Sequence, residues 1–150
     1  MPEPTAETLP LFAETKLRVS PDDYVVVSLP PDAEAWAMNL KLEPFSSVTR
    51  DHDEVSLVVK AADWAQHGPG AAGAKAQGPY TLITFDIELD LSVVGYLSVV
   101  SSLLAENGVS IFALSTYLRD HILVKKGDSR RAVELLNDLV ERSKGLLLKK

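Results

Sequence analysis

Between Tyr80 and Leu148 the spacing of apolar residues changes period four times, and few arrangements of secondary structure satisfy such an order. Tyr80 to Glu88 alternates, with Leu82, Thr84 and Asp86 on one face and Ile83, Phe85 and Ile87 on the other, which predicts a strand. From Ser92 to Glu106 the residues Val93, Val94, Leu97, Val100 and Leu104 recur at helical spacing, and Asn107-Gly108 supplies a left-handed stop. Strands are predicted at Val109 to Thr116 and His121 to Lys125, around a polar bend. Asp128 or Ser129 then caps a second amphipathic helix that turns Ala132, Val133, Leu136, Leu139 and Val140 inward. Gly145 ends it, and Leu146-Leu147-Leu148 is available as a last strand.

Residues 80 to 148 therefore spell β-α-β-β-α-β, the ferredoxin-like order, an α+β class in which two helices cover one face of a four-stranded antiparallel sheet. The first half reads as a degenerate copy. Its strand Tyr24 to Leu29 stops at Pro30-Pro31, Asp32 caps a short helix from Ala33 to Leu40, and the runs 45–50 and 54–59 form a hairpin around Asp51-His52-Asp53. Phe45 and Phe112, Thr49 and Thr116, and Asp53 and Asp120 each recur at a separation of 67, which suggests a duplicated unit. Only 15 residues separate Leu29 from Phe45, against 26 between Phe85 and Phe112, so the first helix must be short. The expected organisation is two modules in tandem: a degenerate one over 1–67 with a frayed, proline-bearing start, a flexible Gly/Ala connector over 68–78, and a complete one over 79–150.

Charge and composition narrow the function. The formal net charge of -6 leaves no basic face to neutralise phosphates, and strand 109–116 offers Phe112 alone among aromatics, so nucleic acid is not an expected partner. With 46% hydrophobic residues but no run of about 18 apolar ones, the chain reads as soluble, made without a signal peptide and not membrane-bound. The absence of cysteine removes thiolate chemistry and fits a reducing, cytoplasmic setting.

Candidate chemistry is sparse. His52 and His121 stand in Arg-Asp-His triplets that could be drawn as oriented bases, yet no nucleophile elbow or metal-ligand spacing accompanies them, so neither an enzyme nor a metal site is expected and no cofactor is implied. Asp51, Asp53 and Glu54 crowd one bend but lack the turn glycine of a calcium loop. Segment 68–78 lacks the Gly-Lys-Ser/Thr ending of a phosphate loop. Gly95, read as part of the first turn of a helix, costs about 1 kcal/mol relative to alanine and needs a reason. Either the helix packs tightly on the sheet there, or a ligand carboxylate approaches the N-H groups of the helix start. Asp120 could answer a cation on the same molecule, which would suit a zwitterion; alternatively Arg119 beside it occupies that carboxylate as an internal salt bridge.

The segments Asp90-Leu91-Ser92-Val93-Val94-Gly95, Ile111 to Tyr117 and Asp120-His121-Ile122-Leu123-Val124 resemble the ACT domain, a small-molecule-binding regulatory module. The likeness is strongest to a tandem-ACT branch that includes cytosolic arginine sensors of the TOR pathway, and Ser46 to Arg50 with Asp53 to Val58 is similar to that branch's other recurrent motif. The resemblance implies a non-catalytic regulator that holds a free amino acid, arginine or another cationic or polar one, at the interface of two ACT modules. By this likeness Ser56 and Leu57 would line the ligand from the first module, and Val94, Gly95, Thr116, Tyr117 and Asp120 from the second. Where the arginine sensors carry a glutamate, this chain has Val93. The sensors have four modules, so a homodimer would restore the count, and a regulatory protein partner is implied. The alternative reading is a ligand-free scaffold that uses the same fold for protein assembly.

Overall fold

Alternation and turn chemistry set most of the elements found in the computed structural model, which describes residues 3–149 and, for Pro69, the backbone alone. In chain order they are α1 (Leu9–Glu14), β1 (Lys16–Leu29), α2 (Glu34–Met38), β2 (Ser47–Arg50), β3 (Val55–Lys60), α3 (Ala61–His67), β4 (Lys75–Asp86), α4 (Tyr96–Glu106), β5 (Ile111–Ser115), β6 (Asp120–Lys125) and α5 (Ser129–Leu148). The fold is α+β and ferredoxin-like, built on antiparallel strand ladders.

The chain divides into two units. One, here the inserted unit, is Pro21–Thr81; the other, the terminal unit, joins the chain up to Ser20 with everything from Leu82 onward. These bounds differ from the modules expected at 1–67 and 79–150, because β1 and β4 are longer than their apolar cores. Residues 16–20 of β1 and α1 before it fold with the C-terminal half, although a frayed start was expected. Strand β4 begins at Lys75, inside the segment expected to be a flexible connector.

Within the inserted unit the order β1, α2, β2, β3, α3, β4 gives strand neighbours β2-β3-β1-β4. Val27 pairs with Leu57 and Leu29 with Val55, and alternation sends these residues into one cluster with Val59 and Ala37. Trp36 from α2 and Trp64 from α3 close it edge to face, centroids 6.5 Å apart. As the spacing required, α2 is short, five residues.

Within the terminal unit the neighbours run β1-β4-β6-β5. Ile83, Phe85, Ile122 and Val124 meet Val100, Leu103 and Leu104 of α4 and Leu136 and Leu139 of α5 in the main core. Each such fully buried side chain contributes about 1.5–3 kcal/mol by leaving water. The expected last strand at 146–148 does not form. Helix α5 runs through Gly145, where an added Cβ would meet nothing, to Leu148, and Lys16–Ser20 of β1 takes the strand position beside β4. A solvent-facing glycine costs a helix about 1 kcal/mol, too little to stop one anchored by Leu136, Leu139 and Val140.

Candidate functional site

Helix α4 starts one turn later than its apolar spacing suggests, and Gly95 explains why. It is the N-cap residue, with φ 92°, in the left-handed region that L side chains avoid. An added Cβ would meet no atom within 4 Å, so tight helix-on-sheet packing is not the reason for glycine here; backbone conformation is. No side chain caps α4, which leaves the N-H groups of Tyr96, Leu97 and Ser98 without intrahelical partners at the positive end of the dipole. The approach loop is held by Asp90, whose Oδ1 accepts the backbone N-H (2.9 Å) and hydroxyl (2.5 Å) of Ser92. Those bonds hold the Asp90 carboxyl below the usual carboxylate range.

Facing this loop is the turn between β5 and β6. Ser115 and Asp120 close the hairpin as a paired couple, and the Ser115 hydroxyl donates to Asp120 Oδ1 at 2.6 Å. The backbone N-H of Thr116 (2.9 Å) and its hydroxyl (3.2 Å) both donate to the Arg119 carbonyl. Leu89 N-H donates to the Leu118 carbonyl at 2.9 Å, tying the two loops together.

Arg119 does not occupy Asp120. Its Nε donates to Asp86 Oδ1 at 3.0 Å, Arg18 reaches the same oxygen at 2.9 Å, and Glu88 lies 3.9 Å from the second guanidinium nitrogen. These two guanidinium groups, Arg18 foremost, hold the Asp86 carboxyl below its ordinary value. Among the described residues Asp120 has no ion-pair partner.

Between the loops lies an open cleft of about 340 Å³, wholly within the terminal unit. Four of the residues expected at a site, Gly95, Thr116, Tyr117 and Asp120, line it. Val94 is not in its wall: the side chain is 71% exposed, and its backbone N-H donates to the Glu7 carboxylate at 3.4 Å. Ser56 and Leu57 belong to β3 of the inserted unit, where Leu57 is fully buried in the core and its strand is paired on both sides. Spacing alone missed Ser115 and Tyr96. Counting back across a four-residue hairpin loop from Asp120 would have found Ser115. Tyr96 belongs to both core and cleft: it lines the cleft while its ring stacks on Phe12 at 4.3 Å and its hydroxyl lies 2.7 Å from Thr15 Oγ1.

The histidine triplets have different fates. His52 sits in the exposed β2–β3 turn, where Asp51 Oδ1 accepts the N-H groups of Asp53 and Glu54. His121 is buried, its Nδ1 2.9 Å from Thr84 Oγ1 and its Nε2 3.1 Å from Thr116 Oγ1. Burial pushes its pKa below 6.5, against the pull of the neighbouring Asp120 carboxylate. No described helix is long and apolar enough to cross a membrane.

Residues 76–138 match the ACT domain. No curated protein matches the chain in sequence. Among solved structures, the chain is similar to a Vibrio cholerae protein of unknown function described as a possible transport protein, at 25% identity and TM-score 0.68, covering 86% of this chain and 92% of that one. It is similar as well to a protein of Agrobacterium tumefaciens, at 26% identity and TM-score 0.67, covering 84% and 89%. The regulatory subunit of aspartate kinase from Thermus flavus shares the fold, at 11% identity and TM-score 0.61 over 82% and 95%. The family match is thus confined to residues 76–138, ACT domains being in general small-molecule-binding regulatory domains, and the likeness to the aspartate kinase regulatory subunit is one of fold.

Proposed function

We propose that the protein is a non-catalytic, cytoplasmic regulator that binds a free amino acid in the cleft between the start of α4 and the β5–β6 turn. The carrying observation is the pairing of opposite poles in one cleft: uncapped backbone N-H groups after Gly95, and the Asp120 carboxylate, which has no cation beside it among the described residues. A zwitterion satisfies both, and desolvating either pole alone would be costly. Thr116 and Tyr117 complete the wall and rim; Val94 shapes the approach loop. A role for Ser56 and Leu57 rests on the resemblance alone and is not needed by this reading. With Val93 in place of a glutamate, a polar amino acid fits as well as arginine. The regulator works as a homodimer that passes its state to a protein partner.

The test is a thermal-shift screen against the twenty amino acids at 1 mM, followed by calorimetry. A ligand with a dissociation constant near 10 μM adds about 2.7 kcal/mol of stability at that concentration, and Asp120→Asn abolishes the response. No response from any amino acid removes the sensing role. That outcome would favour a ligand-free scaffold, to which the exposed apolar side chains Leu91, Val94 and Tyr117 around the mouth also point.

A further inference from the structure

One buried titratable group in the terminal unit has no part in the reading above. His121 is 6% exposed and lies between two threonine hydroxyls, Thr84 behind it and Thr116 at the cleft. The fixed acceptor in this group, the Arg119 carbonyl, suggests which way the chain runs. A threonine hydroxyl has one hydrogen and two lone pairs. With the Thr116 hydrogen assigned to the Arg119 carbonyl, which can only accept, Thr116 accepts at the 3.1 Å contact and His121 Nε2 donates. A neutral imidazole with its proton on Nε2 leaves Nδ1 as an acceptor, and the Thr84 hydroxyl supplies the hydrogen.

The consequence reaches the cleft. Thr116 has spent its hydrogen and one lone pair, and only an acceptor remains. The Ser115 hydroxyl has likewise given its hydrogen to Asp120. With Asp120, this end of the cleft offers acceptors from three side chains, while the guanidinium of Arg119 is turned to Asp86 and Glu88. The opposite end, at the start of α4, offers the backbone N-H donors of Tyr96, Leu97 and Ser98. We propose that His121 is a positioning residue which, through the Thr116 hydroxyl, makes the β5–β6 end of the cleft an acceptor-only pole and so sets which way round a zwitterion binds, its ammonium toward Ser115, Thr116 and Asp120. This inference rests on the amino-acid-binding reading and adds to it the polarity of the site and the residue that enforces it.

Two measurements on the full chain decide it. The first needs no ligand: a long-range proton–nitrogen correlation spectrum of the imidazole at neutral pH. The expected pattern is a single neutral form with the proton on His121 Nε2; a proton on Nδ1 overturns the proposal. The second is titration with whichever of the twenty amino acids stabilise the wild type. Thr116→Val should weaken binding about tenfold, the loss of one hydrogen bond to a charged group, whereas Thr116→Ser should stay within about threefold of wild type. At His121, Gln places an amide donor near the Nε2 position and Asn near Nδ1, so His121→Gln should retain binding that His121→Asn loses. A general packing defect would not separate those two. Equal binding by Thr116→Val and wild type overturns the positioning role and leaves amino-acid binding standing. Failure of every amino acid to shift the wild type removes both.

Discussion

Gly95 is where the backbone and the site meet. Its φ of 92° is available to glycine at little cost, and the space beyond its Cα is open cleft. Gly95→Ala should therefore destabilise the chain by about 1–2 kcal/mol through conformation alone, with no steric clash, and should also weaken amino-acid binding by crowding the helix start. Urea denaturation and calorimetry read the two effects separately; an unchanged midpoint would mean that α4 can begin in another conformation. His121 carries a second prediction, about pH. Its pKa in the fold lies below 6.5, chiefly through burial, so the unfolded chain binds this proton more tightly than the folded one. The stability it confers is full above about pH 6.5 and is lost as pH falls through the folded value. Wild type should lose more stability between pH 7 and pH 5 than His121→Gln does, and equal losses would sink the assignment. At this scale the sequence was half legible. The singularity of Gly95 and the charge of Asp120 could be read from residue type and position. The role of His121 could not, because its two threonine partners come from β4 and from the turn after β5, brought together only by strand order.

Elements were legible where one period ran long enough to be counted. Strand β6 with Ile122, Leu123 and Val124, the helices α4 and α5, and the hairpin β2–β3 all follow from spacing. What spacing could not supply was reach. Strand β1 extends back to Lys16 through Arg18, Asp22 and Asp23 with only Leu17 and Val19 to count, and β4 extends back to Lys75 through Gly78 and Pro79 with no apolar face. Helix α1 is only six residues and carries Pro10, yet Phe12 is 1% exposed because it stacks on Tyr96. A short helix is stabilised by its packing rather than by its own propensity, so sequence alone had little to show. The hairpins make a finer point. Arg50 pairs with Val55 and Ser115 with Asp120, each across a four-residue loop, so the two hairpins correspond at a separation of 65 rather than the 67 at which Phe, Thr and Asp recur. Residue identity and backbone register are separate signals, and register is the one that places Ser115 against Asp120.

At the scale of the whole molecule, β5 raises the question of assembly. It pairs with β6 alone among the described strands, and its five residues, Ile111 to Ser115, include no charge and no proline, the usual means of blunting an unpaired edge. Phe112 is 40% exposed there. The other hairpin's outer strand, β2, ends instead on Arg50, ion-paired to Glu34. An uncharged apolar edge is suited to a second copy of itself, joined about a two-fold axis so that β5 meets β5 antiparallel. Light scattering of the wild type at micromolar concentration should give the mass of two chains, and Phe112→Lys should give one chain with an unchanged far-ultraviolet circular dichroism spectrum. A wild-type mass of one chain ends the idea. The proposed site would give such an assembly a regulatory meaning, because Ser115, the last residue of β5, donates to Asp120 in the cleft. A ligand that binds one assembly state more tightly at this end of β5 favours that state, and linkage requires the effect to be reciprocal. The factor by which a saturating amino acid changes the dimer dissociation constant should equal the factor by which dimerisation changes affinity per site for that amino acid. Sedimentation and calorimetry measure the two sides independently.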